Sequence, residues 1–177
     1  MVVGGDNVRI LVSDPLSEEG VSRLEQYALV EQKTGLNEQQ LIDIIGNYEA
    51  IIVRSGTKVT APVIKAGKKL KVIGRAGVGV DNIDVQQATE SGVMVINAPE
   101  GNTISTAEHA IAMLTSLARN IPQAHHSLKT GRWERGGFIG VELNHKVLGV
   151  IGLGRIGGEV ARRARTLGMT IVACDPY

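Results

Sequence analysis

The chain has 177 residues, of which 43% are apolar and 21% are charged, and its formal net charge is +1. This balance is ordinary for a globular protein and excludes a disordered chain, a collagen-like repeat and a disulfide scaffold. Nucleic acid is not expected as a partner, because the chain has no marked excess of basic residues. Its aromatic residues, one Trp, one Phe and three Tyr, are also too few to form a surface on which bases stack.

The sequence also bears on the compartment. No apolar run reaches the ~20 residues that a membrane span needs, so no membrane partner is expected. The single cysteine, Cys174, has no second cysteine to pair with and suits a reducing, cytoplasmic environment. We expect Cys174 to pack at the end of a buried strand. Residues 1–6 lack the pattern of a signal peptide.

Short β-branched runs alternate with helical patterns through the first hundred residues. Strands are predicted at 9–13, 29–31, 50–53, 70–74 and 93–97. Helices are predicted after Ser17, after Asn37 with Gln40 in the capping-box position, from Pro62 to Gly67, and over 84–90. Short apolar strands separated by helices indicate a parallel sheet covered on both faces. The sequence therefore predicts an α/β fold, with a flavodoxin-like parallel sheet domain over residues 1–100.

The longest helical pattern runs from about Thr103 to Arg119 and is apolar nearly all round. Such a helix needs cover on most sides. It is either an ordinary core helix or a helix packed between two domains or two subunits, since periodicity does not separate these alternatives. Pro122 then bends or restarts the helix, which continues to Gly131.

The strongest motif begins with an apolar strand over 146–151, followed by Gly152, Gly154 and Gly157 in the G-x-G-x-x-G spacing. A helix, a second strand and the acid Asp175 follow, as in a dinucleotide-binding βαβ unit. Gly152 permits a tight turn, Gly154 lets a pyrophosphate approach the backbone, and Gly157 lets the helix pack closely.

The position of Asp175 predicts which dinucleotide binds. A carboxylate there accepts hydrogen bonds from the adenosine ribose and repels a 2′-phosphate, so NAD is favoured over NADP. The helix N-terminus after the glycines attracts the phosphates. The alternative is a glycine-rich turn that binds nothing.

Two further loops follow predicted strands and contain an arginine. One is 54–58, with Arg54 and Ser55, and the other is 74–82, with Arg75. Ligands of open parallel sheets bind at the carboxyl ends of strands, and a guanidinium binds carboxylate or phosphate with two parallel hydrogen bonds. We therefore expect a small, multiply anionic substrate. The alternative is that both arginines are solvated loop charges.

The remaining polar residues carry weaker signals. Asn102, or Thr103 or Ser105 beside it, caps the long helix, or the segment 101–105 is a hinge that also contacts ligand. The four histidines, His109, His125, His126 and His145, have no metal-ligand spacing, so we expect no metal site and predict each histidine to be structural or solvent-facing.

Five segments carry a resemblance to a known family. They are RSGTKV at 54–59, GRAGVGVDN at 74–82, WER at 133–135, GVEL at 140–143 and LGVIGLGRIG at 148–157. Together they resemble the D-isomer-specific 2-hydroxyacid dehydrogenases over essentially the whole chain, and the stretch 133–135 narrows the resemblance to the branch that acts on phosphoglycerate.

The resemblance implies a fold and a reaction. The fold is a flavodoxin-like substrate-binding domain and a Rossmann cofactor domain, here 101–177, that begins with an interdomain or dimerisation helix. The active site lies in the cleft between them. The reaction is NAD-dependent oxidation of 3-phospho-D-glycerate to 3-phosphohydroxypyruvate, the first step of the phosphorylated route to serine.

The resemblance also implies roles for single residues. Arg54, Ser55, Arg75 and Asn102 are implied to bind the substrate. The backbone of Gly77 and Val78 contacts its carboxylate, and Arg135 reaches the phosphate in a neighbouring subunit's site. Val78 also lies against the cofactor, without the hydroxyl that relatives often have there. The backbone of Arg155 and Ile156 meets the pyrophosphate.

The family's acid–base histidine, its glutamate partner and a substrate-binding arginine lie downstream of the first βαβ unit. We therefore expect no catalytic residue in this chain, which we interpret as an N-terminal fragment. Alternatives are a dehydrogenase of another D-2-hydroxy acid, such as glycerate or lactate, and a non-catalytic nucleotide-binding or interaction module. By itself the chain is expected to be inactive and to form a homodimer or larger homo-oligomer. Association is expected through packing of the apolar helix, through pairing at an unpaired edge of the strand at 147–151, or through exchange of elements.

Overall fold

The computed structural model describes residues 8–176 and shows two compact units that divide after Gly101. Residues 1–6, for which no signal peptide is expected, lie outside the described range. None of the helices within 8–176 combines the length and apolar character needed to cross a bilayer.

The first unit is built on a sheet of five parallel strands. They are β1 (Arg9–Val12), β2 (Leu29–Gln32), β3 (Ala50–Val53), β4 (Val72–Arg75) and β5 (Met94–Asn97). The order is β2-β1-β3-β4-β5 and every pair is parallel, which is the flavodoxin-like arrangement. The predicted α/β class and the five strands are confirmed, with bounds that differ by no more than two residues.

Four helices connect these strands. They are α1 (Glu18–Glu25), α2 (Glu38–Ile45), α3 (Ala61–Ala66) and α4 (Val85–Glu90). The predicted caps are confirmed: Ser17 Oγ accepts from the Gly20 N–H at 3.2 Å, and Asn37 and Gln40 form a reciprocal capping box. These side chains satisfy N–H groups that have no partner within a helix, which is why the helices begin at these positions.

The core of the first unit is apolar and continuous. Its side chains come from helices and strands and are fully or almost fully buried. They include Leu41 and Ile45 of α2, Val63 of α3, Ile51 of β3 and Ile73 of β4. Burial of such side chains is the main favourable contribution to folding, at about 1.5–3 kcal/mol each. The core therefore fixes the strands whose carboxyl ends carry the predicted substrate loops.

The second unit begins with helices. Its elements are α5 (Thr103–Ala118), α6 (Ile121–Lys129), a short 3-10 helix (Arg135–Phe138), β6 (Val147–Ile151), α7 (Arg155–Thr166) and β7 (Thr170–Cys174). Strands β6 and β7 pair in parallel along their whole length, so the predicted βαβ unit is confirmed. Cys174 is exposed, and its predicted burial is wrong because, within the described residues, β7 pairs with β6 alone.

Helix α5 is less buried than an ordinary core helix. Only Thr103 and Ala107 are buried along it, and Met113 and Leu117 are largely exposed. The described residues therefore do not cover α5 as they would an ordinary core helix. Asn120 then takes the left-handed conformation with φ of 53°, and Pro122 lies in the first turn of α6. The chain thus restarts a helix at this point.

A cluster of charged groups surrounds Glu31 of β2. Arg9 and Lys33 both form ion pairs with its carboxylate, and the Tyr48 hydroxyl donates to Glu31 Oε2 at 2.9 Å. The hydrogen bonds from Arg9, Lys33 and Tyr48 lower the pKa of the Glu31 carboxyl from 4.5 to about 2. These bonds stabilise the charged carboxylate, and Glu31 therefore links the stability of this unit to pH.

Replacing Glu31 is expected to change how stability depends on pH. Because the folded-state pKa is lowered, the contribution of Glu31 is fully present above its ordinary pKa and is lost as the pH falls from about 4.5 toward about 2. The free energy of unfolding of Glu31→Gln should therefore fall less over this range than that of the unchanged protein. Urea unfolding at several pH values measures it, with Glu25→Gln on the exposed side of α1 as control. Parallel curves for the unchanged and Glu31→Gln proteins would contradict the assignment.

Candidate functional site

The glycine loop of the second unit begins directly after β6. Gly152 has φ of +88°, a conformation that favours glycine, and its N–H donates to the Cys174 carbonyl at 2.8 Å. The loop therefore turns sharply while staying attached to β7. The predicted tight turn at Gly152 is confirmed.

Gly154 and Gly157 differ in what surrounds their Cα atoms. A Cβ at Gly157 would lie 2.0 Å from the Gly152 carbonyl oxygen, so only glycine lets α7 pack this closely. A Cβ at Gly154 would have no heavy atom within 4 Å. The close packing predicted for Gly157 is confirmed. The open space at Gly154 leaves the backbone accessible to a ligand, and the pyrophosphate contact stays a prediction.

The end of β7 brings Asp175 to the same loop. Its Oδ2 accepts a hydrogen bond from the Leu153 N–H at 2.7 Å. Gly154 is the N-cap of α7, which has no side-chain cap. The backbone of Arg155 and Ile156 then begins the helix, where N–H groups and the helix dipole favour an anion. A carboxylate, an open backbone and an uncapped helix start together fit a dinucleotide.

The predicted substrate loops lie side by side in the first unit. Loop 54–58 follows β3 and loop 76–82 follows β4, and these strands are neighbours in the sheet. Parallel neighbours end at the same edge of a sheet. The structure therefore brings Arg54, Ser55, Arg75, Gly77 and Val78 to one edge.

The Arg75 side chain is mostly buried and forms an ion pair within its own loop. Its side chain is 10% exposed, and its Nη1 lies 3.1 Å from Asp81 Oδ1. A Cβ at Gly79 would lie 2.8 Å from both of these atoms, so glycine makes room for the ion pair. The alternative of a solvated charge is therefore wrong for Arg75. Its contact with a substrate anion stays a prediction, and in that contact the anion and the Asp81 carboxylate would share the guanidinium.

Gly77 and Val78 are tied to the end of β5. The Ala98 N–H donates to the Gly77 carbonyl at 2.9 Å, and Asn97 Nδ2 donates to the Val78 carbonyl at 2.6 Å. These bonds orient the loop through its carbonyl groups. The contacts of this backbone with a carboxylate and a cofactor stay predictions.

Arg54 differs from Arg75 because its side chain is exposed. Its backbone, by contrast, is held on both sides. Asp14 Oδ2 accepts from the Arg54 N–H at 2.6 Å and from the Thr57 N–H at 3.0 Å. Asn82 Nδ2 donates to the carbonyl oxygens of the same two residues, at 2.7 Å and 2.6 Å. Loop 54–57 is therefore fixed while the guanidinium of Arg54 stays accessible.

Sequence reasoning did not identify Asp14 as a site residue. Asp14 follows β1 within two residues, and β1 lies next to β3. The sequence does contain a signal for Asp14. It is an acid at the carboxyl end of a strand, and that strand lies beside the one that carries the arginine loop. Asn82 lies in the predicted loop 74–82, but its two contacts with loop 54–57 are visible only in the structure.

Asn102 and Arg135 lie in the second unit, and both are exposed. Asn102 stands at the N-cap position of α5 but makes no side-chain cap. Instead, the Ser105 hydroxyl donates to the Asn102 carbonyl at 3.1 Å. The predicted side-chain cap by Asn102 is therefore wrong. The guanidinium of Arg135 lies 5.8 Å from the centre of the Trp133 ring. Ligand contacts of Asn102 and Arg135 stay predictions.

All four histidines are exposed. Within residues 8–176, no three His, Cys, Asp or Glu side chains are grouped so that they could hold a metal ion.

Two adjacent glycines of α7 should respond oppositely to alanine. Gly157→Ala places a methyl group against the Gly152 carbonyl and should destabilise the protein by about 1–3 kcal/mol or more. At Gly158 the nearest atom to a Cβ is 3.9 Å away, so Gly158→Ala should be neutral or stabilising by about 0.5–1 kcal/mol. Thermal unfolding of the two variants measures the difference. Equal stabilities would show that the loop does not pack against α7 as described.

The comparison with protein families matches residues 10–171 to the D-isomer specific 2-hydroxyacid dehydrogenase family, catalytic domain. A D-3-phosphoglycerate dehydrogenase of Synechocystis is 55% identical over 96% of this chain. A crystal structure of a Thermus thermophilus protein is 31% identical, with a TM-score of 0.89 over 96% of the chain. The NAD+-bound 3-phosphoglycerate dehydrogenase of Entamoeba histolytica is 30% identical, with a TM-score of 0.75 over 96%.

The chain is shorter than these proteins. It spans 30% of the Synechocystis protein, and 57% and 54% of the Thermus and Entamoeba chains. The family match nevertheless runs through both units, from β1 to β7. It includes the arginine loops and the glycine loop whose geometry is described above. The chain therefore belongs to the D-isomer specific 2-hydroxyacid dehydrogenase family.

Proposed function

We propose that this chain supplies the substrate loops and the first cofactor loop of an NAD-dependent dehydrogenase. The enzyme oxidises 3-phospho-D-glycerate to 3-phosphohydroxypyruvate, which makes it an enzyme of serine biosynthesis. The observation that carries the proposal is the 55% identity to a D-3-phosphoglycerate dehydrogenase over 96% of the chain. The local geometry of both units supports it.

The second unit is proposed to bind the dinucleotide. NAD, when bound, accepts the hydride that leaves the hydroxyl-bearing carbon of the substrate. The open backbone at Gly154 and the uncapped start of α7 receive the pyrophosphate. The carboxylate of Asp175 receives the adenosine ribose, while its bond to the Leu153 N–H keeps the glycine loop in place.

The first unit is proposed to bind the substrate. 3-Phosphoglycerate carries two anionic groups, a carboxylate and a phosphate, and an exposed guanidinium binds either through paired hydrogen bonds. Arg54 supplies that guanidinium. Ser55 follows it in the loop, and Arg75 Nε lies 3.4 Å from the Arg54 carbonyl oxygen. The backbone of Gly77 and Val78 lines the same edge of the sheet. Asn102 and Arg135 are proposed as further contacts, with Arg135 acting in a neighbouring subunit's site.

We also propose that the protein acts in the cytoplasm as a homodimer or larger homo-oligomer. Large apolar side chains of the second unit remain exposed, among them Met113, Leu117, Ile121, Trp133 and Ile139. Exposed apolar surface of this kind marks sites of association. A second copy of the chain is the simplest partner that would cover these side chains.

The substrate assignment is tested by replacing Arg54 in the intact protein. Arg54→Ala should lower kcat/KM for 3-phosphoglycerate by about tenfold to a hundredfold, because a hydrogen bond to a charged group contributes about 1.5–3 kcal/mol. Arg23→Ala, at an exposed arginine of α1, is the control and should have no effect. Steady-state kinetics with NAD measure both. Faster turnover of glycerate or lactate by the unchanged protein would favour another 2-hydroxy acid, and no turnover at all would favour a non-catalytic module.

The cofactor assignment is tested by removing the charge of Asp175. Asp175→Asn keeps an oxygen that can accept from the Leu153 N–H but no longer repels a 2′-phosphate. The ratio of kcat/KM with NAD to that with NADP should therefore fall in this variant. Asp175→Ala removes both functions and should also weaken NAD binding. Equal use of NAD and NADP by the unchanged protein would refute the assignment.

A further inference from the structure

Loop 54–57 is held by side chains from both neighbouring strands. Strand β3 lies between β1 and β4 in the sheet. Asp14 follows β1 and binds the N–H groups of Arg54 and Thr57. Asn82 follows β4 and binds the carbonyl groups of the same two residues. At each end of the loop, the backbone N–H and the backbone carbonyl of the same residue are therefore both hydrogen-bonded.

Asp14 and Asn82 both have buried polar atoms next to loop 54–57. Asp14 is 7% exposed, and the buried Thr57 hydroxyl also lies 3.0 Å from its Oδ1. A buried carboxylate is costly unless hydrogen bonds satisfy it, and here the loop supplies them. Asn82 Oδ1 is buried and has no hydrogen-bond partner within the described residues. Burial of this unpaired oxygen costs free energy, and the two hydrogen bonds from Asn82 Nδ2 to the loop offset that cost.

Gly56, between Arg54 and Thr57, leaves the space that the Asp14 carboxylate occupies. A Cβ at Gly56 would lie 2.6 Å from Asp14 Oδ1. The carboxylate therefore reaches the loop because position 56 has no side chain.

We propose that Asp14 and Asn82 form a clamp that positions Arg54 for the substrate anion. The inference rests on the proposed function, and both members are positioning residues. A loop that is ordered before binding does not lose its conformational entropy when the substrate arrives. The clamp fixes the backbone of Arg54 and leaves its guanidinium exposed, so it improves substrate binding more than the chemical step.

The clamp predicts opposite results for two nearly isosteric changes. In Asp14→Asn the remaining oxygen still accepts from both N–H groups, and the Thr57 hydroxyl can accept from the new amide while it donates to the Ser13 carbonyl, 3.2 Å away. In Asn82→Asp the new carboxylate has no proton to donate and faces two carbonyl oxygens. Asp14→Asn should therefore preserve the loop, whereas Asn82→Asp should release it.

Steady-state kinetics of the intact protein with NAD and 3-phosphoglycerate provide the test. The KM of Asp14→Asn should stay within about twofold of the unchanged protein. The KM of Asp14→Ala, of Asn82→Asp and of Gly56→Ala should rise about tenfold with little change in kcat, because buried loop groups lose their partners or are displaced. Amide hydrogen exchange at Arg54 and Thr57 should become faster in the same three variants.

Tyr48→Phe controls for a general loss of stability. Tyr48 is 1% exposed and bonds to Glu31, away from the clamp. This variant should unfold more easily without a change in KM. If it raises the KM as Asp14→Ala does, the effect is general destabilisation and the clamp is refuted.

The remaining outcomes separate the clamp from the proposed function. If the unchanged protein turns over 3-phosphoglycerate but Asp14→Ala and Asn82→Asp have its KM, the clamp is refuted and the function stands. If Asp14→Asn raises the KM as much as Asp14→Ala, the charge of Asp14 matters rather than its acceptor geometry, and the clamp is again refuted. If the unchanged protein neither binds nor turns over 3-phosphoglycerate, the proposed function fails and the role of the clamp fails with it.

Discussion

Parallel pairing of β1, β3 and β4 is the constraint on which the edge proposed to bind substrate in the first unit depends. Parallel neighbours end at one edge, so Asp14, Arg54 and Asn82 meet although they are far apart in sequence. The pairing is maintained by an apolar core that includes Leu41, Ile51 and Ile73. A change that shifted one strand by one residue would move its carboxyl end and its loop together.

The same physical rule operates on a smaller scale in the second unit. Strands β6 and β7 pair in parallel, so the glycine loop and Asp175 leave the sheet side by side. The contact between Gly157 and the Gly152 carbonyl then determines how closely α7 follows the loop. In each unit, backbone packing brings a charged side chain to a loop that we propose binds an anionic ligand.

Charged residues in similar loops nevertheless have different tasks. Arg75 is 10% exposed and pairs with Asp81, so much of its hydrogen-bonding capacity serves the loop itself. Arg54 is exposed and is supported through its backbone. An ion pair that orders a loop and a guanidinium that remains accessible are complementary. The first limits the motion of the loop, and the second is the group that we propose attracts the substrate anion.

The sequence by itself determined the secondary structure and the nature of the loops. Strand and helix periodicity, the caps at Ser17 and Asn37 and the G-x-G-x-x-G spacing are local properties, and the structure matches them closely. Only the tertiary structure decided which polar groups meet. The clamp of Asp14 and Asn82, the burial of Arg75 and the exposure of Cys174 all depend on which strand lies beside which. Local periodicity does not carry that information, because hydrogen bonds between distant residues form only once the sheet has set its strand order.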